Sequence, residues 1–417
     1  MTGAAKVVLL LYPQAGYDRA LLRGVIHYAH LHGPWIFHLA GEIQGVPLPI
    51  NEAVDSREER VWLEHDPAAR SGIRFPDLKK LGATGVIGRL QTPAIVKRVC
   101  KSGLPTVALD LSLPQSAPGS LLAGVSEVRP DSERAGRMAA EHYLERGFQH
   151  FAFCGYAGRW WSDRRREGFC QRLEEACFSC HVYQPPTVKR QKLWNSEFTT
   201  LKRWLESLPK PIGILACNDM RGRQVLEACM LAEIPVPDQV AVLGVDNDEI
   251  LCAMADPPLS SIALDGERAG YRAAELLDDL MRNRDRPRET ILAEPLRVVS
   301  RRSTDVIAVE DACVAVALQF IRDNAREAIG VNDVVAQTKS SRRSLEIRFQ
   351  SLLGRTIRQE IQRARLFLVR QFLLDTDLPA WRIAEVTGFN SLHYLCRVFH
   401  REFGIPLAEY RRRHRSL

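Results

Sequence analysis

The stretch WRIAEVTGFNSLHYLCRVFHREFG, residues 381–404, decides how the last quarter of the chain is read. It starts as a short helix with apolar residues at helical spacing, passes through a Gly-containing turn, and restarts at Ser391, a residue type whose hydroxyl accepts from free helix N-terminal amides. The second helix then lines up Leu395, Val398, Phe399 and Phe403 on one side and His393, Tyr394 and Arg397 on another, before Gly404 ends it. The first set is expected to pack and the second to meet a partner.

The same pattern occurs earlier, in VNDVVAQTKSSRRSLEIRFQSLLG at 331–354, with a short apolar helix, a turn, an N-capping Ser, a Phe in the third turn and a closing Gly. The chain thus carries two copies of a helix-turn-helix. In this motif the exposed N-terminal residues of the second helix reach base edges while its apolar positions hold it to the first. Leu345, Phe349 and Leu352 are then core in the first copy. Arg342, Arg343, Glu346, His393, Tyr394 and Arg397, with Arg348 and the capping Ser391 beside them, are the candidates to face DNA. Between the copies, RTIRQEIQRARLFLVRQFLLDT reads as a helix of about 19 residues, roughly 28 Å long. That is close to the ~34 Å of one B-DNA turn, so one protomer is expected to read two tandem half-sites of double-stranded DNA. Seven helices are predicted, at 311–324, 331–337, 341–353, 356–374, 379–386, 391–403 and 406–413.

Charge supports this. Residues 311–417 hold 18 Lys and Arg against 11 Asp and Glu, while the preceding 310 residues hold 39 of each and are neutral. Seventeen of the 18 cations are Arg, whose planar fork suits phosphate oxygens and guanine edges.

Upstream, the apolar runs KVVLLLY, GVIGRL, PTVALDL, HFAFCGY, IGILACN and VAVLGVD alternate with helical stretches such as DSERAGRMAAEHYLERG at 131–147. Runs of this kind are strands buried on both faces, which makes the architecture α/β with doubly wound parallel sheets. The alternation stops near 303–311, so a ligand-binding domain is expected over 1–305 and an all-α DNA-binding domain over 306–417. In such sheets ligands bind beyond the carboxyl ends of the strands. Those ends carry Tyr17, Asp18 and Arg19, Asp110, the stretch 159–165, Asn218 and Asp219, and Asp246 and Asn247. The polar, Pro-punctuated stretch 42–75 reads as a surface excursion.

The ten Cys lack a second paired spacing beside Cys177 and Cys180, which reads as reduced thiols rather than a metal site. The apolar run Val7–Tyr12 is too short for a signal segment or a membrane span, so the expected location is the cytoplasm, with no membrane partner. The sequence contains no Gly-rich phosphate loop and no nucleophile elbow, and its eleven His are scattered, which argues against an enzyme and for no cofactor.

The last hundred residues resemble the DNA-binding domain of the arabinose-regulator (AraC/XylS) family, through VVAQTKSSRRSLEIRFQSLLGRTI, RIAEVTGFNSLHYLCRVFHREFGIPLAEYRR and the closing Pro-x-x-x-Tyr-Arg. In one departure, Ile347 stands where that family usually carries a basic residue, with Arg348 following. The first three hundred residues resemble the ligand-binding domain of lactose-repressor-type regulators and periplasmic sugar-binding proteins. The carriers are RRREGF at 164–169, ILACNDMRGRQVLEA at 214–228 and IPVPDQVAVLGVDNDEILCAMADPPLSSI at 234–262. This resemblance implies a periplasmic-binding-protein-like fold of two lobes that a sugar closes by a hinge motion, with Arg165, Asp219 and Asp246, and also Asp18 and Arg19, as sugar contacts; Asp110 joins them as a ligand-binding candidate from its strand end. A sugar presents hydroxyls and an apolar C–H face, which suits charged planar groups plus an aromatic wall, here Trp160 or Trp161. The two resemblances together imply a homodimeric, sugar-responsive transcription regulator, an activator of sugar-catabolic genes that contacts RNA polymerase, with repression as the alternative sign. A pentose is the expected effector; a hexose, a purine or a phosphorylated sugar is the alternative, and an enzyme on the α/β domain is the reading from another class.

Overall fold

A computed structural model describes residues 4–39, 78–90, 93–111, 121–122, 124–156, 158–184, 194–283, 286–306 and 311–414. The surface excursion expected at 42–75 lies outside the described residues.

The first lobe is built from β1 (Ala5–Leu10), α1 (Gly16–His32), β2 (Trp35–Leu39), α2 (Leu78–Leu81), β3 (Gly85–Arg89), α3 (Pro93–Ser102), β4 (Thr106–Leu109) and β5 (Ser126–Pro130). The chain then crosses to a second lobe with α4 (Ser132–Glu145), β6 (His150–Cys154), α5 (Trp160–Glu174), β7 (Cys180–Val182) and α6 (Trp194–Ser207). The lobe continues through β8 (Ile212–Ala216), α7 (Asp219–Leu231), β9 (Val240–Val245), α8 (Glu249–Met254) and β10 (Ser260–Leu264). It returns to the first lobe for α9 (Gly266–Arg282) and β11 (Thr290–Ala293), and finishes in the second with β12 (Pro295–Val299) and a 3₁₀ turn at Arg302–Thr304. The two sheets have strand orders β11-β5-β4-β3-β1-β2 and β12-β10-β9-β8-β6-β7. Every pairing is parallel except β10 with β12. Three chain crossings join the lobes, at 130–132, 264–266 and 293–295. Such a junction lets two rigid lobes rotate about a few backbone torsions.

The runs read as strands are strands, and β8 and β9 are buried along their whole length. The sequence patterns missed β2, β5, β7, β10, β11 and β12. β5 is instructive because Ser126 and Glu127 are buried in it. The Glu127 carboxylate is met by Arg129 at 3.5 Å and Arg288 at 3.8 Å, partners from the same strand and from residues far along the chain. A polar strand becomes affordable through such partners, and periodicity does not reveal them.

Each lobe has one helix pair packed backbone to backbone through glycines. In the first lobe, a Cβ on Gly24 of α1 would lie 1.9 Å from the Glu267 carbonyl, and one on Gly270 of α9 would lie 2.0 Å from that of Leu21. In the second, a Cβ on Gly136 of α4 would lie 2.1 Å from the Arg165 carbonyl, and one on Gly168 of α5 would lie 2.0 Å from that of Glu133. These contacts fix α1 and α5, the helices that carry Tyr17, Asp18, Arg19 and Arg165.

The helical region contains α10 (Ala312–Asn324), α11 (Val331–Ala336), α12 (Arg342–Leu353), α13 (Ile357–Asp375), α14 (Ala380–Val386), α15 (Leu392–Phe403) and α16 (Leu407–His414), within a residue of the seven predicted. It has two cores. One gathers Val314, Leu318, Val334, Leu345, Phe349, Ile357 and Ile361; the other gathers Leu366, Val369, Leu373, Ile383, Leu395, Val398, Phe399 and Tyr410. The spacer helix α13 contributes its first half to one and its second half to the other, so it is a shared wall rather than a free rod. Leu352, expected in the core, is exposed, and Leu353 packs instead. The buried stripe of α12 runs 345, 349, 353, and Leu352 falls beside it. No helix among the described residues is long and apolar enough to cross a membrane.

Candidate ligand cleft and DNA-reading helices

The carboxyl ends of the two sheets supply one constellation of charges. At the first lobe, Arg89 closes β3 and its guanidinium is held by Asp18 on α1, at 2.7 and 3.2 Å, and by Asp110 after β4 at 2.7 Å. Burial opposes the Arg89 charge, but the two carboxylates overcome it and keep its pKa above the ordinary value. At the second lobe, Arg165 on α5 donates to Asp246 after β9 at 3.1 Å and to the Cys217 carbonyl, and its guanidinium lies 5.1 Å above the Trp161 ring. Asp110 and Asp246 both have positive φ, 55° and 102°. Asp tolerates that region better than most side chains, yet it is a strained geometry of the kind found at functional sites.

Contacts between the lobes show that these two clusters face each other. Arg19 on α1 reaches Asp248 of the second lobe at 2.9 Å. The Tyr17 phenol is pushed well up in pKa, first by burial and then by Asp110, with Asp18 and Asp246 of the opposite lobe adding to it. Asp246 is raised by burial, lowered by Arg165, and raised again by Asp110 across the cleft. Arg129, in β5, lies 5.7 Å above the ring of Trp160 at the start of α5.

Four buried polar atoms on these residues have no hydrogen-bond partner among the described residues: Tyr17 Oη, Asp110 Oδ1, Trp160 Nε1 and Arg165 Nε. Two come from each lobe. A buried unpaired polar group costs about 1–3 kcal/mol, so four at one cleft are a donor and acceptor set suited to a ligand rich in hydroxyls.

Several expected contacts are engaged by partners within the protein. Asp18 is fully buried, and its oxygens accept from Arg89 and from the Tyr12 amide. It therefore holds the Arg89 guanidinium in place. Asp219 is likewise buried, accepting from the Ser261 hydroxyl at 2.5 Å and the Asp248 amide at 2.6 Å. Burial and then the neighbouring Asp246 raise its pKa well above the carboxylate range. Arg19 is engaged by the Pro13 and Gln14 carbonyls besides Asp248, so it joins the lobes. Trp161 stacks under Arg165 and edge-on to Tyr156, while Trp160 lies under Arg129 with its indole N–H unpaired among the described residues. Sequence reasoning left out Arg89, although it ends a strand and the rule about strand ends applies to it. It named Tyr17 and Asn218 at strand ends without choosing them as contacts; the half-buried Asn218 amide caps α7 through Oδ1.

In the helical region, Ser341 and Ser391 cap α12 and α15 by accepting from Ser344 and Tyr394 amides, and Gly354 and Gly404 end the helices in left-handed conformations. Arg343 and His393 are exposed on the outward faces, with Arg397 beside Tyr394 at 5.4 Å from its ring. Arg342 is exposed but tied to Glu346 at 3.1 Å and Asn332 at 3.2 Å. Two candidates have partners within the helical region. Arg348 pairs with Asp311, the N-cap of α10, at 3.1 Å, and the Tyr394 hydroxyl meets Gln362 of α13 at 3.4 Å. The helical region is tied to the second lobe through the end of α4, where Glu145 accepts from Arg363 at 2.6 Å through its side chain and from Arg355 at 3.1 Å through its carbonyl.

A two-lobed binding cleft joined to a double helix-turn-helix defines a ligand-responsive, DNA-binding transcription regulator. Residues 140–304 match the model of the periplasmic binding protein-like domain, and residues 334–413 match that of a helix-turn-helix domain. The chain is 30% identical over 411 residues to the xylose operon regulatory protein of Escherichia coli strain K12, an alignment covering 97% of this chain and 96% of that protein. It is 32% identical over 337 residues to the protein of the same name from Haemophilus influenzae, covering 80% of this chain and 86% of the relative. The chain belongs to the family of xylose operon regulatory proteins. A solved structure of a xylose-binding transcription activator matches over 100% of both chains, at a TM-score of 0.58 and 28% identity. A regulator from Enterococcus faecium with bound ribose matches at 0.51 and 19%, covering 73% of this chain and 100% of its own, which is a likeness of fold.

Proposed function

We propose that this chain senses xylose and, when the sugar closes its two lobes, activates sugar-catabolic genes from tandem half-sites as a homodimer in contact with RNA polymerase. The observation that carries the sugar reading is the set of four unpartnered buried polar atoms, two on each lobe, at Tyr17, Asp110, Trp160 and Arg165. Ring hydroxyls bridging them would tie the lobes together, so the closed state binds more tightly than the open one, as any ligand-driven shift requires. In this reading Arg89, Asp110, Arg165 and Asp246 hold hydroxyls, Trp160 faces the C–H side, and Asp18, Asp219 and Arg19 support them. Xylose is favoured over other pentoses by the names of the two relatives and of the solved activator. The ligand-binding domain spans 1–305 and the DNA-binding domain 306–417.

The test is quenching of tryptophan fluorescence by a panel of pentoses, hexoses and purines. Xylose is expected to shift the signal and raise the melting temperature, and Arg165→Ala to abolish both effects. A panel in which no monosaccharide changes either quantity sinks the sugar reading; a purine response moves the effector to another class. DNA affinity is expected to fall steeply with salt as counterions are released.

A further inference from the structure

The helices α12 and α15 share one register. The caps Ser341 and Ser391, the buried Leu345 and Leu395, the buried Phe349 and Phe399, and the left-handed Gly354 and Gly404 correspond one to one. That register places Ile347 where α15 has Arg397. Both project outward, and Ile347 is 61% exposed beside Ser341, Arg343, Ser344 and Arg348, which line a shallow open depression with it. A single exposed isoleucine needs no explanation by itself. Here, however, it occupies the centre of a reading face, one turn beyond Arg343, in the basic part of the chain and in the place its sister helix gives to an arginine.

An isoleucine side chain neither donates nor accepts a hydrogen bond. In a major groove the base-edge group that offers it apolar surface is the C5-methyl of thymine. We infer that Ile347 reads a thymine methyl in the half-site engaged by α12, whereas Arg397 reads its half-site by hydrogen bonding. The two half-sites are therefore recognised by different chemistry, and a duplex carrying them has a direction. The flanking Arg343 supplies charge complementarity for the phosphates or a guanine edge beside that thymine. This inference rests on the helix-turn-helix domain engaging duplex DNA.

The experiment starts with duplexes selected from a random-sequence library by the full chain. In the tightest of them each thymine is replaced in turn by deoxyuridine, which lacks only the methyl. One position in one half-site is expected to weaken binding by the unaltered protein about fourfold, the worth of one buried methyl. Ile347→Ala should weaken the thymine duplex to a similar degree and be indifferent to deoxyuridine at that position. Ile347→Val should keep the discrimination, and Arg397→Ala should remain sensitive to it while losing affinity through the other half-site. Because Ile347 is exposed, Ile347→Ala should melt with the parent protein. The inference is overturned if no deoxyuridine replacement weakens binding, or if Ile347→Ala stays as sensitive as the parent at every thymine. It is also overturned if Ile347→Ala leaves DNA affinity unchanged and alters only self-association, which would make the exposed side chain a protein contact. Failure to select any duplex would instead sink the DNA-binding reading beneath it.

Discussion

Replacing Arg165 by methionine keeps most of the apolar stem over Trp161 but deletes the guanidinium, and with it the donors to Asp246 and to the Cys217 carbonyl. Hydrogen bonds to charged groups are worth about 1.5–3 kcal/mol each, and removing one partner of a buried ion pair costs about 3–5 kcal/mol. The Asp246 side chain is 23% exposed, so water recovers part of the loss, and about 3 kcal/mol at pH 7.5 is the expected deficit. At roughly 2–4 °C per kcal/mol, the melting temperature should drop by about 6–12 °C. The deficit has a pH dependence of definite sign. Burial already raises the Asp246 pKa and Arg165 is the chief group opposing it, so the variant's carboxyl titrates higher still. In the unfolded chain it titrates near 3.9, so the folded variant binds this proton more tightly than the unfolded one. Its stability relative to the parent therefore improves as pH falls from 7.5 toward 5. Scanning fluorimetry of both proteins at pH 5 and 7.5 measures this directly. A melting gap equal at both pH values, or wider at pH 5, would refute the coupling of Asp246 to Arg165.

Tyr17→Phe removes a buried hydroxyl with no protein partner among the described residues, so it should leave stability within about 1 kcal/mol of the parent or improve it while weakening xylose binding about tenfold, read by fluorescence titration. Equal xylose affinity would remove Tyr17 from the cleft. Arg363→Glu should leave sugar affinity intact but shrink the sugar-induced change in DNA affinity, and adding Glu145→Arg should restore it, because this pair links the second lobe to the spacer helix. Coupling unchanged in the Arg363→Glu protein would make the contact incidental. Gly168→Val sets a side chain against the Glu133 carbonyl and should destabilise by at least about 2–3 kcal/mol in chemical denaturation; a loss under 1 kcal/mol would mean that α4 and α5 separate freely.

Local physics made much of this protein legible from its residues. Helical spacing, N-capping serines and terminal glycines set the seven C-terminal helices to within a residue, because caps and periodicity act within one or two turns. Apolar runs marked β1, β3, β4, β6, β8 and β9, whose burial on both faces leaves a signal in composition. The rule that ligands bind beyond strand ends picked out Asp110, Arg165 and Asp246, which the fold brings into one charged cluster between the lobes.

Which group in that neighbourhood faces the cleft was decided by tertiary structure alone. Asp18 and Asp219 look like the exposed carboxylates in the sequence, yet Arg89 from 71 residues away takes the first, and Ser261 and the Asp248 amide take the second. The same holds for Arg348, claimed by Asp311. A charged side chain's role depends on which partner desolvates it, and those partners arrive through the fold from distant parts of the chain.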